Sequence, residues 1–135
     1  MTNKHPEGYV HTSIENGIGK IEFYHPASNS LPGAILTDLA HAINDVGTDD
    51  RAKVIVLQSG GERSFCAGAS FDELLAITNE TEGKKFFNGF ALVINAMRKC
   101  LKFIIVRVQG RAVGAGVGII SAADYAIAVD SASIK

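Results

Sequence analysis

The sequence predicts an α/β fold in which short buried strands alternate with amphipathic helices. Three observations carry this. An Asn-Gly hairpin signal lies near the start of the chain. Two short apolar runs, Lys53 to Gln58 and Phe103 to Val108, have the β-branched content of strands covered on both faces. Stretches with apolar residues at helical spacing separate these strands.

Residues 1–8 read as a polar N-terminal tail, and residues 9–135 as one core. Tyr9 to Glu15 alternates in part and ends at Asn16-Gly17, the strongest short hairpin signal, so Ile18 to Tyr24 is the returning strand. His25 to Ser30 is loop, because Pro26 lacks an amide donor and restricts its neighbour. From Pro32 to Val46, Ile35, Leu36, Leu39, Ala40, Ile43 and Val46 fall on one helical face. After the strand at Lys53 to Gln58 comes a loop from Ser59 to Ala69. A short helix is expected over Phe71 to Ile77 and a longer one over Glu82 to Lys99, with Phe86, Phe90, Ile94 and Met97 on its apolar face. Beyond the strand at Phe103 to Val108, a tight turn opens a helix over Gly114 to Ala123, and Tyr125 to Val129 is the next strand. The sequence stops at Lys135 without a breaker or polar tail, so the core reads as truncated at its C-terminus. A sheet edge and an apolar face would then be left uncovered.

A chain of 135 residues suits one domain, and 47% hydrophobic against 20% charged residues is enough to build a core. A net charge of −1 provides no basic field, so nucleic acid is not an expected partner. Cys66 and Cys100 sit in unlike contexts and suggest neither a disulfide framework nor a metal cluster, which fits a reducing, cytoplasmic setting. The first residues lack an apolar signal-peptide core. The apolar stretch Ala112 to Ala123 is too short and too interrupted to span a bilayer, so no membrane partner is expected either.

Two segments stand out because each follows a buried-type strand and is rich in Gly and Ala. They are Ser64-Phe65-Cys66-Ala67-Gly68-Ala69 and Gly110-Arg111-Ala112-Val113-Gly114-Ala115-Gly116. Small residues let a ligand approach the backbone. A helix opening at Gly114 offers free N–H groups and a positive dipole end to an anion, or to a carbonyl oxygen gaining charge. Either segment alone reads more readily as a turn and tight helix–sheet packing than as a site, because a single Gly pattern is a weak signal.

Together, the two segments resemble the crotonase (enoyl-CoA hydratase/isomerase) superfamily. The resemblance extends to Ile21 through Leu31, to Val54-Ile55-Val56-Leu57 and to Ala122 through Ala128, and covers nearly the whole chain. It implies a crotonase-like spiral of repeated β-β-α units, incomplete here, and an acyl-CoA thioester site. Two main-chain amides would polarise the thioester carbonyl, those of Ala69 and Ala115. Ala67, Gly68, Phe71, Gly114 and Gly116 would line the bound thioester. Coenzyme A would enter as part of the substrate, with no separate cofactor and no metal. The full-length protein is expected to form trimers or hexamers through C-terminal helices.

The family's hydratases use two glutamates. The first position is occupied here by Gly118, and the second falls just beyond Lys135. The catalytic acid or base is therefore expected beyond residue 135. A single glutamate suffices to move a proton between carbons, as in the family's isomerases. The alternative is a non-catalytic acyl-CoA-binding or oligomer-forming relative. Asp72 and Glu73 read as an exposed helical face, Asp124 as a helix-end or turn residue, and Cys66 as a small packing residue. A dinucleotide-binding turn fails, because Ile119 stands where Gly114 and Gly116 would require a third small residue.

Overall fold

The computed structural model describes residues 1–135. Its main sheet has six strands in the order β1-β2-β3-β5-β8-β10. These are β1 (Thr2–Lys4), β2 (Tyr9–Glu15), β3 (Ile18–Tyr24), β5 (Val54–Ser59), β8 (Phe103–Val108) and β10 (Tyr125–Ala128). The hairpin forms as expected: Asn16 (φ 51°) and Gly17 (φ 81°) both take the positive φ that a two-residue turn of this hand requires. β2 and β3 pair antiparallel from Tyr9↔Tyr24 to Glu15↔Ile18. From β3 onward the sheet is parallel. The polar first residues are tied to the sheet rather than trailing from it, since Thr2–Lys4 pairs antiparallel with His11 to Tyr9 of β2.

Helices make the crossovers. Helix α1 (Gly33–Thr48) joins β3 to β5, and α3 (Glu80–Lys99) joins β5 to β8. The short α2 (Phe71–Leu75) precedes α3, and α4 (Ala115–Ser121) lies between β8 and β10. The α1 face matches its periodicity, with Ile35, Leu36, Leu39, Ala40, Ile43 and Val46 all buried. Helix α3 starts earlier than the apolar pattern suggests, because the Asn79 side chain accepts the Glu82 N–H at 2.9 Å and caps it. Its buried face is also rotated from the expected one. Phe90 and Met97 are buried, but Gly89, Val93 and Ala96 complete the face, while Phe86 and Ile94 are only half-buried. Gly89 allows this rotation, since a Cβ there would stand 2.8 Å from Leu36 Cδ1 on α1.

Four strands of two or three residues link the loops of successive units. β4 (Ser30–Leu31) pairs parallel with β7 (Gly68–Ala69), and β6 (Ser64–Cys66) with β9 (Arg111–Ala112). The expected loop from Ser59 to Ala69 thus contains two of these strands. The core comprises Ile21, Phe23, Ile55, Leu57, Ile104 and Val106 of the sheet, packed against Leu39, Ile43, Val93 and Ile119 of the helices. No helix is long and apolar enough to cross a membrane.

β10 is the edge of the sheet opposite β1 and is exposed along its whole length. Tyr125, Ile127, Val129, Leu101 and Phe103 leave large apolar groups open there, Leu101 being 98% exposed. An unpaired edge beside an apolar face templates association. The isolated 135-residue chain is expected to elute from size exclusion as self-associated species, with light scattering giving the mass. A stable monomer with one cooperative thermal transition would contradict this.

Candidate functional site

The site is assembled from the turns after β6 and β9. Parallel pairing of Ser64 with Arg111 and of Cys66 with Ala112 brings these turns together, and the Val113 N–H donates to Cys66 O at 3.0 Å. Two glycines permit the approach. A Cβ on Gly116 would lie 2.4 Å from Cys66 O, so only glycine fits under that carbonyl. Gly68 has φ +90°, and a Cβ there would lie 3.2 Å from Val113 O and 3.6 Å from Ala115 N. The two segments that sequence singled out are therefore in direct contact.

The Ala115 N–H is free. Gly114 caps α4 with φ 58° and ψ −123°, a conformation open to glycine, and turns the chain so that Ala115 is the first helical residue. The Gly116 and Val117 amides are used inside the turn, on Val113 O and Gly114 O, whereas Ala115 donates to no protein acceptor. The Ala69 amide is oriented by its strand. Leu31 pairs with Ala69, but Pro32 has no N–H, so this parallel bridge must run through the Leu31 N–H and the amide that follows Ala69. The Ala69 N–H is left facing out of the ladder. Both alanines are half-buried, while Gly68 and Gly116 are buried beneath them.

A cleft of about 470 Å³ runs along the first turn. Ala67, Ser70 and Phe71 line one side, Val113 and Arg111 another, and His25, Ser28 and Ser30 come from the β3–β4 loop. Phe71 is 72% exposed. Gly118 lies within α4, where a Cβ would meet only Ile94 Cδ1 at 3.4 Å, and brings no titratable group. No three His, Cys, Asp or Glu side chains converge as metal ligands would.

The acidic groups near the cleft are structural or peripheral. Asp72 is exposed at the rim. Glu73 departs from the expected exposed face: it is half-buried, and its carboxylate accepts the Gly33 N–H at 2.9 and 3.1 Å, satisfying the start of α1. Asp124 is a turn residue, and its carboxylate accepts the Ile104 N–H at 2.8 Å. Burial pushes the Cys66 thiol up to about 11, so little thiolate is present at neutral pH, consistent with packing rather than nucleophilic attack.

Sequence reasoning missed the polar residues that brace the turns. Asn29 is buried in the left-handed region (φ 56°), and its side chain reaches three segments. Gln109 reaches the loop after β5. His25 is buried, with Nδ1 accepting the Ala27 N–H at 3.2 Å, so a neutral ring carries its proton on Nε2, which lies 3.5 Å from Glu7 Oε2. Buried polar side chains in loops of this kind imply dedicated partners, a signal the sequence alone carries only weakly.

A mostly parallel sheet with crossover helices, its glycine-rich turns brought together by short linking strands, is the fold of the crotonase-type proteins. The chain belongs to the enoyl-CoA hydratase/isomerase family, whose model matches residues 13–135. The (7aS)-7a-methyl-1,5-dioxo-2,3,5,6,7,7a-hexahydro-1H-indene-carboxyl-CoA hydrolase of Rhodococcus jostii is 30% identical over 93% of this chain and 48% of its own length. The short-chain-enoyl-CoA hydratase of Clostridium acetobutylicum is 31% identical over 78% of this chain and 40% of its own. The crystal structure of an enoyl-CoA hydratase from Bacillus anthracis superposes with a TM-score of 0.84 at 25% identity, covering 93% of this chain and 49% of that one. The chain thus spans about half the length of these relatives.

Proposed function

We propose that the protein acts on acyl-CoA thioesters as an enoyl-CoA hydratase/isomerase-type enzyme, with the N–H groups of Ala69 and Ala115 polarising the thioester carbonyl. The observation that carries this reading is the pair of unspent amides on touching turns, Gly68 standing beside Ala115 N. Preorganised donors stabilise the charge that develops on the carbonyl oxygen when an adjacent carbon loses a proton or gains a nucleophile. Ala in place of Gly is chemically neutral here, because only the main chain acts. In this reading, Ala67, Gly68 and Phe71 border the bound CoA portion, and Gly114 and Gly116 shape the second donor. The proton-transfer group comes from outside residues 1–135, and assembly as trimers or hexamers follows the family resemblance.

Position 118 makes a two-carboxylate hydration the less favoured chemistry and a single-base isomerisation the more favoured one. The test is turnover of 2-enoyl-CoA and 3-enoyl-CoA by the protein in its full natural length, followed by thioester absorbance and mass. Conversion of either supports the reading. The same Gly118 motivates a second reading, a relative that binds acyl-CoA without turning it over. Tight binding with no conversion of either thioester would favour that one, and absence of binding would overturn both.

A further inference from the structure

We infer that Asn29 and Gln109 form an amide clamp on the Ser64 carbonyl that sets the spacing between the two candidate oxyanion turns, making both of them positioning residues. The inference rests on the oxyanion reading above. Asn29 Nδ2 donates to Gly60 O and to Ser64 O, both at 2.8 Å, and Asn29 Oδ1 accepts the His25 N–H at 2.7 Å. The Asn29 carbonyl accepts the Ala67 N–H at 3.3 Å, so one residue holds the first turn at both ends of β6. Gln109 approaches from the other side. It follows β8 and immediately precedes the second turn, and its Nε2 lies 3.2 Å from the same Ser64 O. Ser64 also donates its hydroxyl to Arg111 O at 3.2 Å, within the β6–β9 pair. Both turns are thus referred to a single carbonyl.

The surroundings explain why both residues are amides. Gln109 Nε2 also lies near Ser59 Oγ at 2.9 Å, Gly61 O at 3.1 Å and Ser59 O at 3.3 Å. This is a cluster of oxygen acceptors with few local donors, and each primary amide supplies two N–H groups. Gln109 Oε1, in contrast, is buried without a protein partner, so the amide turns its nitrogen rather than its oxygen toward the acceptors. A carboxylate at position 109 would put negative charge against the same oxygens, and an apolar chain would leave them without donors.

The test uses two Gln109 variants of the full-length enzyme. Gln109→Glu reverses the donor, and the milder Gln109→Met removes it without adding charge. Three quantities are read: kcat against KM for the thioester, unfolding midpoint, and the infrared stretch of bound ¹³C-carbonyl acetyl-CoA. A loosened pair of amides polarises the carbonyl less, so the stretch should return toward that of free thioester. At the same time kcat should fall by about tenfold to 100-fold while KM changes little, since small misplacements of reacting groups cost rate on that scale. A lowered unfolding midpoint with wild-type kcat and wild-type carbonyl stretch would overturn the clamp and leave these residues merely structural. A wild-type enzyme that binds acetyl-CoA without shifting its carbonyl stretch would overturn the oxyanion reading, and the clamp with it.

Discussion

Replacing Ala115 with proline is expected to lower kcat on acyl-CoA thioesters by about 100- to 1000-fold, the usual cost of losing one oxyanion donor, while leaving the fold intact. Main-chain donors are hard to remove cleanly, but this position allows it. Ala115 is the first residue of α4, where proline is well tolerated because its N–H would have no helical partner. The residue before a proline prefers extended backbone. Gly114, at φ 58° and ψ −123°, occupies the mirror image of that region, which is open to glycine. Binding of free CoA, which has no acyl carbonyl, should be unchanged, and the unfolding midpoint should stay close to wild type. Steady-state kinetics with a CoA-binding titration checks both halves, and wild-type turnover would remove Ala115 from the mechanism.

Gly116→Ala is expected to have the opposite profile, losing the fold and the site together. The new Cβ would stand 2.4 Å from Cys66 O and 2.9 Å from Cys66 Cβ, and neither neighbour is a flexible side-chain tip. The backbone of one turn must move, at a cost of about 1–3 kcal/mol or more for overpacking. That movement separates the turns that carry Ala69 and Ala115. Denaturant unfolding should therefore show a lowered midpoint, and the residual activity of the folded fraction should fall as well. Gly114→Ala is the instructive contrast, since no atom lies within 4 Å of its Cβ site and the penalty is conformational alone. A Gly116→Ala protein as stable as wild type would mean the turns have room that the structure does not show.

The sequence made some of this legible for identifiable reasons. The hairpin strands and β8 fall where turn chemistry and β-branched runs put them, because those elements are long enough to have a period. β4, β6, β7 and β9 have two or three residues each, too few for alternation to register, and they are the strands that join the two turns. The Gly- and Ala-rich segments were visible as segments, but their contact through Gly116 and Cys66 O was not, since nothing in linear spacing reports on a distant carbonyl. Glu73 looked like a solvent-facing acid because its partner, the Gly33 amide, lies forty positions away in the chain. Asn29 and Gln109 were hidden for the same reason: in a loop, a polar side chain reads as hydrated until its partners are known.

The segment Ser133 to Lys135 lies against β9, with the Ala112 N–H on Ser133 O at 2.8 Å, the Lys135 N–H on Ala112 O at 3.0 Å and the Gly114 N–H on Lys135 O at 3.2 Å. During synthesis, the turn bearing Ala115 leaves the ribosome before the residues that fasten it. Until Lys135 has emerged, the second amide belongs to an unfastened loop and the first turn waits without its counterpart. Translation order therefore leaves the turn after β9 unfastened until the last of these residues is made, while the earlier turn after β6 is already complete.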